Sequence, residues 1–408
     1  MLYYLTQLFI GRIDWPGAIY AHKQEMEGRL SMHYRDFKAA GMGVSLLGFG
    51  AMRLPMIEGS EGLVDEAEAI RMMRYAIDNG VNYIDTAYIY HGKQSEAIVG
   101  KALADGYREK VLVATKLPFW ALSGPEEMQT VFDEQIAKLG VDCIDMYLMH
   151  GIEGDRFDTV KEWRIWDFLE ERRAEGKIRF IGFSFHGYSP EEFKGVLDEY
   201  PWDFCQLQLN FMDKDVQAGV EGFEYAVAKG VPIVAMEPLK GGRLTDANPP
   251  SIQKYWDSLD SKRTPAEWAL RWVADLPGVL TILSGMSTME QVEENIRVLS
   301  DADVGMMTEA EFSVLDQVAE EYRKLTAYAC TACKYCLPCT AGINIPEIMN
   351  FRNMCSLYGL TPKIRGEYTM FVPKKASECT ECGKCETACP QHLEIIRAMK
   401  ETTELFAI

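Results

Sequence analysis

The chain has no uninterrupted apolar run of the roughly 20 residues that a membrane-crossing helix needs, so no span is expected. It is also short of cations: 42 Lys and Arg stand against 61 Asp and Glu, for a net charge of −19. Such a surface repels polyphosphate and argues against nucleic acid as a partner. The opening "MLYYLTQLFI" is apolar, but no basic residue precedes it and no small-x-small cleavage site follows closely, so it does not read as a secretory signal. Residues 1–31 are expected to be an N-terminal extension outside the core, with Met32 as the natural beginning. A Gly-rich phosphate loop is missing too. "GFGAMRLP" at 48–55 is followed by no helical pattern, which argues against a doubly wound nucleotide-binding sheet.

What is present is alternation. "VSLLGFGAM", "VNYIDTA", "VLVATK", "CIDMYLMH", "IRFIGFS", "FCQLQLN", "VPIVAME" and "VLTILSG" are short and mostly apolar, as strands buried on both faces are. Amphipathic segments lie between them. In "DEAEAIRMMRYAIDNG" the residues Ala69, Met72, Met73, Ala76 and Ile77 share one helical face, and Gly80 supplies a stop. In "TPAEWALRWVADLPG" Thr264 is placed to cap, Pro265 suits the first turn, and Pro277-Gly278 ends the helix. Eight such strands alternating with helices predict a (β/α)8 TIM barrel over residues 32–320. The active site should lie where strands end and βα loops begin. Cys143 and Cys205 fall in apolar strand-like runs, as buried thiols do, and the cysteine usage predicts a reducing, cytoplasmic setting.

The strand ends carry Asp85, Lys116, His150 and Ser184, with Tyr90 in the loop after the second strand. Each alone has a plain structural explanation, since Asp and Ser after a strand commonly cap the next helix. Complementary ionisable groups gathered on one face of a barrel predict chemistry.

These motifs resemble the aldo-keto reductase family over roughly residues 32 to 302, through "NYIDTAYIY", "GKIRFIGFS" and "EENIRVL". The resemblance implies a catalytic tetrad of Asp85, Tyr90, Lys116 and His150, exchanging hydride between a nicotinamide and a carbonyl or alcohol. In it Tyr90 is the proton donor, Lys116 lowers its pKa, Asp85 orients Lys116, and His150 fixes the carbonyl oxygen. It also implies that Ser184 and Gln206 hold the nicotinamide carboxamide. Ser284, Gly285, Ser287, Glu294 and Asn295 would serve the phosphate and adenine region. Three positions depart from the family pattern. Phe185 and His186 stand where an Asn is expected, Met236 replaces the ring that stacks on the nicotinamide, and Gln291 replaces a cation for a 2′-phosphate. NADP, NAD and FMN all remain candidate cofactors.

Residues 321–408 are expected to form a mainly helical ferredoxin-like [4Fe-4S] domain. "CTECGKCETACP" places Cys379, Cys382, Cys385 and Cys389 in the C-x2-C-x2-C-x3-C-P arrangement of a cubane cluster. Structural zinc would use two C-x2-C pairs with a longer spacer. The preceding cassette holds Cys330, Cys333, Cys336 and Cys339, with a shorter last interval and Thr340 where proline is expected. Two assignments follow. Either two clusters form with exchanged fourth ligands, Cys330, Cys333 and Cys336 with Cys389 and Cys379, Cys382 and Cys385 with Cys339, or one cluster forms and the first cassette is partly redundant. "IPEIMNFRNMCSLYGL" between them is expected to be helical, with Cys355 as packing. Some aldo-keto reductases carry such a C-terminal module, and the chain resembles that subset from Met32 onward.

Three functions fit. A nicotinamide carbonyl reductase would act on a small-molecule carbonyl or alcohol, its clusters serving an electron-transfer partner protein. A flavin at the barrel mouth would instead join two-electron and one-electron chemistry. A redox-sensing or binding module with structural clusters is the non-enzymatic reading. Loops after Lys116 and His150, with Phe119 and Trp120 as candidate pocket residues, would set specificity.

Overall fold

Three short strands precede the barrel: β1 (Ala21–Lys23), β2 (His33–Phe37) and β3 (Met42–Ser45), forming an antiparallel sheet in that order. The structure, a computed structural model, describes residues 32–60, 62–154, 156–245, 249–328, 330, 336–389 and 392–407, with the backbone of 21–23. The run "VSLLGFGAM", read as one strand, is divided. Its first residues close β3, and Leu47–Gly50 forms the first barrel strand, β4. Polar side chains make the corner. Ser45 Oγ donates to Leu47 O at 2.7 Å, and Asn82 accepts from Ser45 N at 2.7 Å while donating to Gly43 O at 2.9 Å.

The remaining barrel strands are β5 (Tyr83–Asp85), β6 (Leu112–Leu117), β7 (Ile144–Ile152), β8 (Ile178–Phe185), β9 (Phe204–Gln208), β10 (Ile233–Met236) and β11 (Val279–Gly285). The eight strands run parallel, each beside its sequence neighbour, and β11 closes on β4. This is the expected TIM barrel. Intervening helices present the expected faces: in Glu66–Asp78 the buried residues are Ala69, Met72, Met73, Ala76 and Ile77. Thr264 accepts from Glu267 N to cap Pro265–Ala274, as its sequence indicates.

The hairpin β2–β3 fills the end of the barrel where the strands begin. Phe37 and Val44, both fully buried, share one core with Tyr83, Leu112 and Phe204 at the starts of β5, β6 and β9. Phe37 stacks at a tilt on Phe180, with centroids 4.7 Å apart. Burial of each such side chain contributes about 1.5–3 kcal/mol. Between them Arg35 is buried and donates to the carbonyls of Val279 (2.6 Å), Leu276 (3.2 Å) and Ala274. Burial lowers its pKa to about 10, with Asp303 and Asp275 opposing, so it stays charged at neutral pH. Cys205 is buried in β9, but Cys143 is only half-buried ahead of β7, where its thiol meets Ile144 O at 3.7 Å.

By packing, the chain divides into two units: residues up to Leu244 with Arg263–Met307, and Thr245–Lys262 with Thr308–Ile408. In the second unit Pro250–Trp256 packs on the long helix Glu309–Leu325, which runs unbroken through residue 320. Its core gathers helices Ile345–Tyr358, Pro362–Phe371 and Ile395–Phe406. Tyr368 and Phe406 stack there at 3.9 Å, and Cys355 is buried among the same residues as packing. The unit is mainly helical, and the segment between the cassettes is a helix, both as expected. Among the described residues no helix is long and apolar enough to cross a membrane.

Candidate active site

Asp85 is the last residue of β5, and Lys116 and His150 lie toward the ends of β6 and β7, so the barrel itself brings them together. Lys116 Nζ donates to both carboxylate oxygens of Asp85, at 2.7 and 2.8 Å, and to Thr86 O at 2.7 Å. An ammonium has three protons, and three oxygens surround this one. Tyr90 opens the turn Tyr90–Lys93, whose His91 and Gly92 adopt left-handed backbone, and Lys116 Nζ stands 5.2 Å from its ring centroid. The Tyr90 and His150 rings meet edge to face at 6.0 Å.

The electrostatics follow from burial. Burial disfavours the Lys116 charge, yet Asp85 and then Tyr90 outweigh it and hold the ammonium above its ordinary pKa. Burial raises the Asp85 carboxyl, with Lys116 opposing. Tyr90 is also raised by burial, and the Lys116 charge pulls against that rise. Burial, then Lys116, pushes His150 well below its ordinary value, so its imidazole is neutral near pH 7. Its Nδ1 has no hydrogen-bond partner among the described residues.

A lip forms over His150. Trp120 Nε1 donates to His150 O at 2.9 Å, and the Arg156 guanidinium lies 4.8 Å above the Trp120 ring. Arg156 also donates to Gly151 O at 3.0 Å and pairs with Glu153 at 3.1 Å. Gly151 has φ +65°, and a Cβ there would stand 3.3 Å from Arg156 Nη1. Of the two candidate pocket residues, Trp120 is partly exposed at this lip and Phe119 is fully buried.

The residues expected to face a cofactor cluster at the ends of β8 to β11. Ser184 Oγ accepts from Gly151 N at 2.8 Å, which leaves its hydroxyl proton unused by that bond. Gln206 Nε2 points at Met236 Sδ, 3.5 Å away, while its buried Oε1 has no partner among the described residues. Met236 itself sits in the barrel core. Phe185 is turned away and packs on Phe193. Ser284 Oγ accepts from Asn295 at 2.9 Å, Ser287 N donates to Gln291 at 2.7 Å, and Glu294 accepts from Thr264 at 2.7 Å. Sequence reasoning missed Arg53, in the loop after β4. Ser287 Oγ donates to Arg53 O at 2.8 Å, and the Arg53 side chain crosses Gly285 toward Gly241. A Cβ on Gly285 would stand 3.1 Å from Arg53 Cβ, and one on Gly241 2.9 Å from its Nη2. The signal was the cation itself, following directly on the first barrel strand.

In the second unit, Cys336, Cys339, Cys379, Cys382 and Cys385 line one recess, walled by Ile343, Ile345, Ile395 and Met399. Thr340 Oγ1 lies 3.3 Å from Cys382 Sγ. Cys330 is half-buried and Cys389 buried, while Cys333 lies outside the described residues. An all-sulfur donor set with apolar walls suits an iron–sulfur cluster. Among the described residues no three His, Cys, Asp or Glu stand close enough to share a single ion.

Residues 46–312 match the Aldo/keto reductase family, and residues 329–394 match a 4Fe-4S dicluster domain. The L-galactose dehydrogenase of Arabidopsis thaliana is 28% identical over 305 residues, covering 70% of this chain and 94% of its own. A probable aldo-keto reductase of Glycine max is 26% identical over 296 residues, covering 64% and 82%. Among solved structures, an aldo-keto reductase from Bacillus halodurans in its holo form superposes with a TM-score of 0.57 at 25% identity, covering 73% and 96%. An aldo/keto reductase from Klebsiella pneumoniae in complex with NADP and acetate gives 0.55 at 26% identity, covering 69% and 93%.

Proposed function

The chain belongs to the aldo/keto reductase family and carries a 4Fe-4S dicluster domain, and from that premise we propose a nicotinamide-dependent carbonyl reductase with Tyr90 as its acid. The observation that carries this reading is the buried Lys116 held by Asp85 and Thr86 beneath the Tyr90 ring. A bound reduced nicotinamide supplies the hydride. The carbonyl oxygen then gains negative charge and needs a proton, which Tyr90 gives. A phenol of ordinary pKa about 10 gives it reluctantly, and the Lys116 charge favours the tyrosinate that remains. Asp85 keeps that charge in place. Neutral His150 offers a single N–H to the carbonyl oxygen and fixes its direction.

The cofactor fits the residues present. The unpartnered Gln206 Oε1 is an acceptor for a carboxamide N–H, and the Ser184 hydroxyl is a donor for its oxygen. Arg53, laid between two glycines beside Ser287, supplies a cation for phosphate where Gln291 cannot. The NADP complex of the Klebsiella pneumoniae relative supports NADP(H) as the first cofactor to test. Hydride transfer in the barrel needs no cluster. Two [4Fe-4S] clusters, on Cys379, Cys382, Cys385 with Cys339 and on Cys330, Cys333, Cys336 with Cys389, would pass single electrons to a partner protein.

The test is NADPH oxidation by the cluster-loaded protein across a panel of aldehydes and ketones. Tyr90→Phe should cut turnover by about 10^2–10^4 while nicotinamide binding, followed by fluorescence, is kept. Turnover equal to that of the parent would remove Tyr90 from its role. About eight irons per chain supports two clusters, and about four removes one.

A further inference from the structure

Thr340 follows the fourth cysteine of the first cassette, at the position where the ferredoxin pattern carries proline. The exchange adds a hydroxyl, and the fold puts that hydroxyl to use. Thr340 Oγ1 lies 3.3 Å from Cys382 Sγ, across 42 residues of sequence, on the wall of the cysteine-lined recess. While Cys382 is a free thiol, either atom can be the donor. Once it binds iron it does so as a thiolate, which has no proton to give. The hydroxyl is then the sole donor in the pair.

We propose that Thr340 donates a hydrogen bond to the iron-bound Cys382 thiolate and so raises the reduction potential of the cluster held by Cys339, Cys379, Cys382 and Cys385. One-electron reduction adds negative charge to the cluster and its sulfurs. A donor aimed at one of those sulfurs stabilises the reduced state more than the oxidised one. Proline at this position would leave the sulfur without that donor. The cluster that takes three ligands from the second cassette and Cys339 from the first is therefore easier to reduce than it would be without that hydroxyl. The proposal rests on the two-cluster assignment given above.

The full chain is loaded with iron and sulfide under anaerobic conditions, and its iron is counted first. About four irons in the parent protein, unchanged by Cys339→Ser, would overturn the cluster assignment before any Thr340 variant is made. With about eight present, a dithionite titration followed by electron paramagnetic resonance resolves two reduction steps. Thr340→Val keeps the shape and removes the donor. It should move one step to more negative potential and leave the other fixed, with iron content unchanged. Thr340→Ser should restore the parent value. In deuterated buffer the reduced parent should lose a strongly coupled exchangeable proton that Thr340→Val never shows. Both steps unmoved in Thr340→Val, or the same proton coupling in that variant, would overturn the proposal.

Discussion

In the barrel, Lys116 reaches three oxygens supplied by the chain itself, and Asp85, Tyr90 and His150 are placed by the ends of strands. In the C-terminal unit, five cysteines line one recess. One site is anchored by the bonds of Lys116 to Asp85 and Thr86, and the other gathers its ligands around one recess. The first is preorganised by a continuous hydrogen-bonded barrel, so its geometry survives without any bound group. The second sets its sulfurs over a packed core that includes Ile343 and Ile395, with no disulfide among the described sulfurs to fix them.

Removing iron breaks the comparison most sharply. Anaerobic chelation should abolish the unfolding transition of the C-terminal unit while the barrel transition stays where it was. Calorimetry with hydrogen exchange over Ile345–Tyr358 would read this directly. Full protection of that helix after iron removal would mean that its core, built on Phe351, Tyr368 and Phe406, is sufficient alone. The reverse insult comes next. Phe37→Ala should lower barrel stability by about 3–5 kcal/mol in denaturant unfolding and leave the iron content untouched. A simultaneous loss of iron would show that the two units are not independent in stability.

The smallest effect is in pH. His150 is held well below its ordinary value, so carbonyl reduction should show no acid break near the ordinary histidine pKa of about 6.5. The sign for stability is the same. Below about pH 6.5 the unfolded chain protonates His150 and the folded one does not, so the folded state loses ground as acid is added. That contribution is complete above the unfolded value and declines as pH falls toward the folded one. Comparing melting temperatures of the parent and His150→Gln across this range isolates it.

The barrel was legible because period is a local property. The five apolar residues of Glu66–Asp78 face inward as their spacing requires, and the strand runs end where the site begins. The tetrad positions were legible for the same reason, since each sits at a strand end or in the loop directly after one. The plug was not. "HYRDF" and "MGVS" mix polar and apolar residues, and what they pack against is spread from Tyr83 to Leu283. Arg35 finds its carbonyls some 240 positions away, at Ala274 to Val279. Arg53 was passed over because an exposed arginine after a strand has no periodic signature, and its course is set by two distant glycines. The cysteine pattern announced iron, but which thiols share a space depends on a fold that joins residues 336–340 to 379–385.

The filled lower end of the barrel has a kinetic meaning. With Phe37 and Val44 seated where the strands begin, the described residues close that end of the barrel below Lys116. Trp120 and Arg156 stand at the opposite end, beside His150. For the proposed reductase, cofactor and substrate would both enter from the strand-end side, and a slowly released product would hold the next turnover at the threshold.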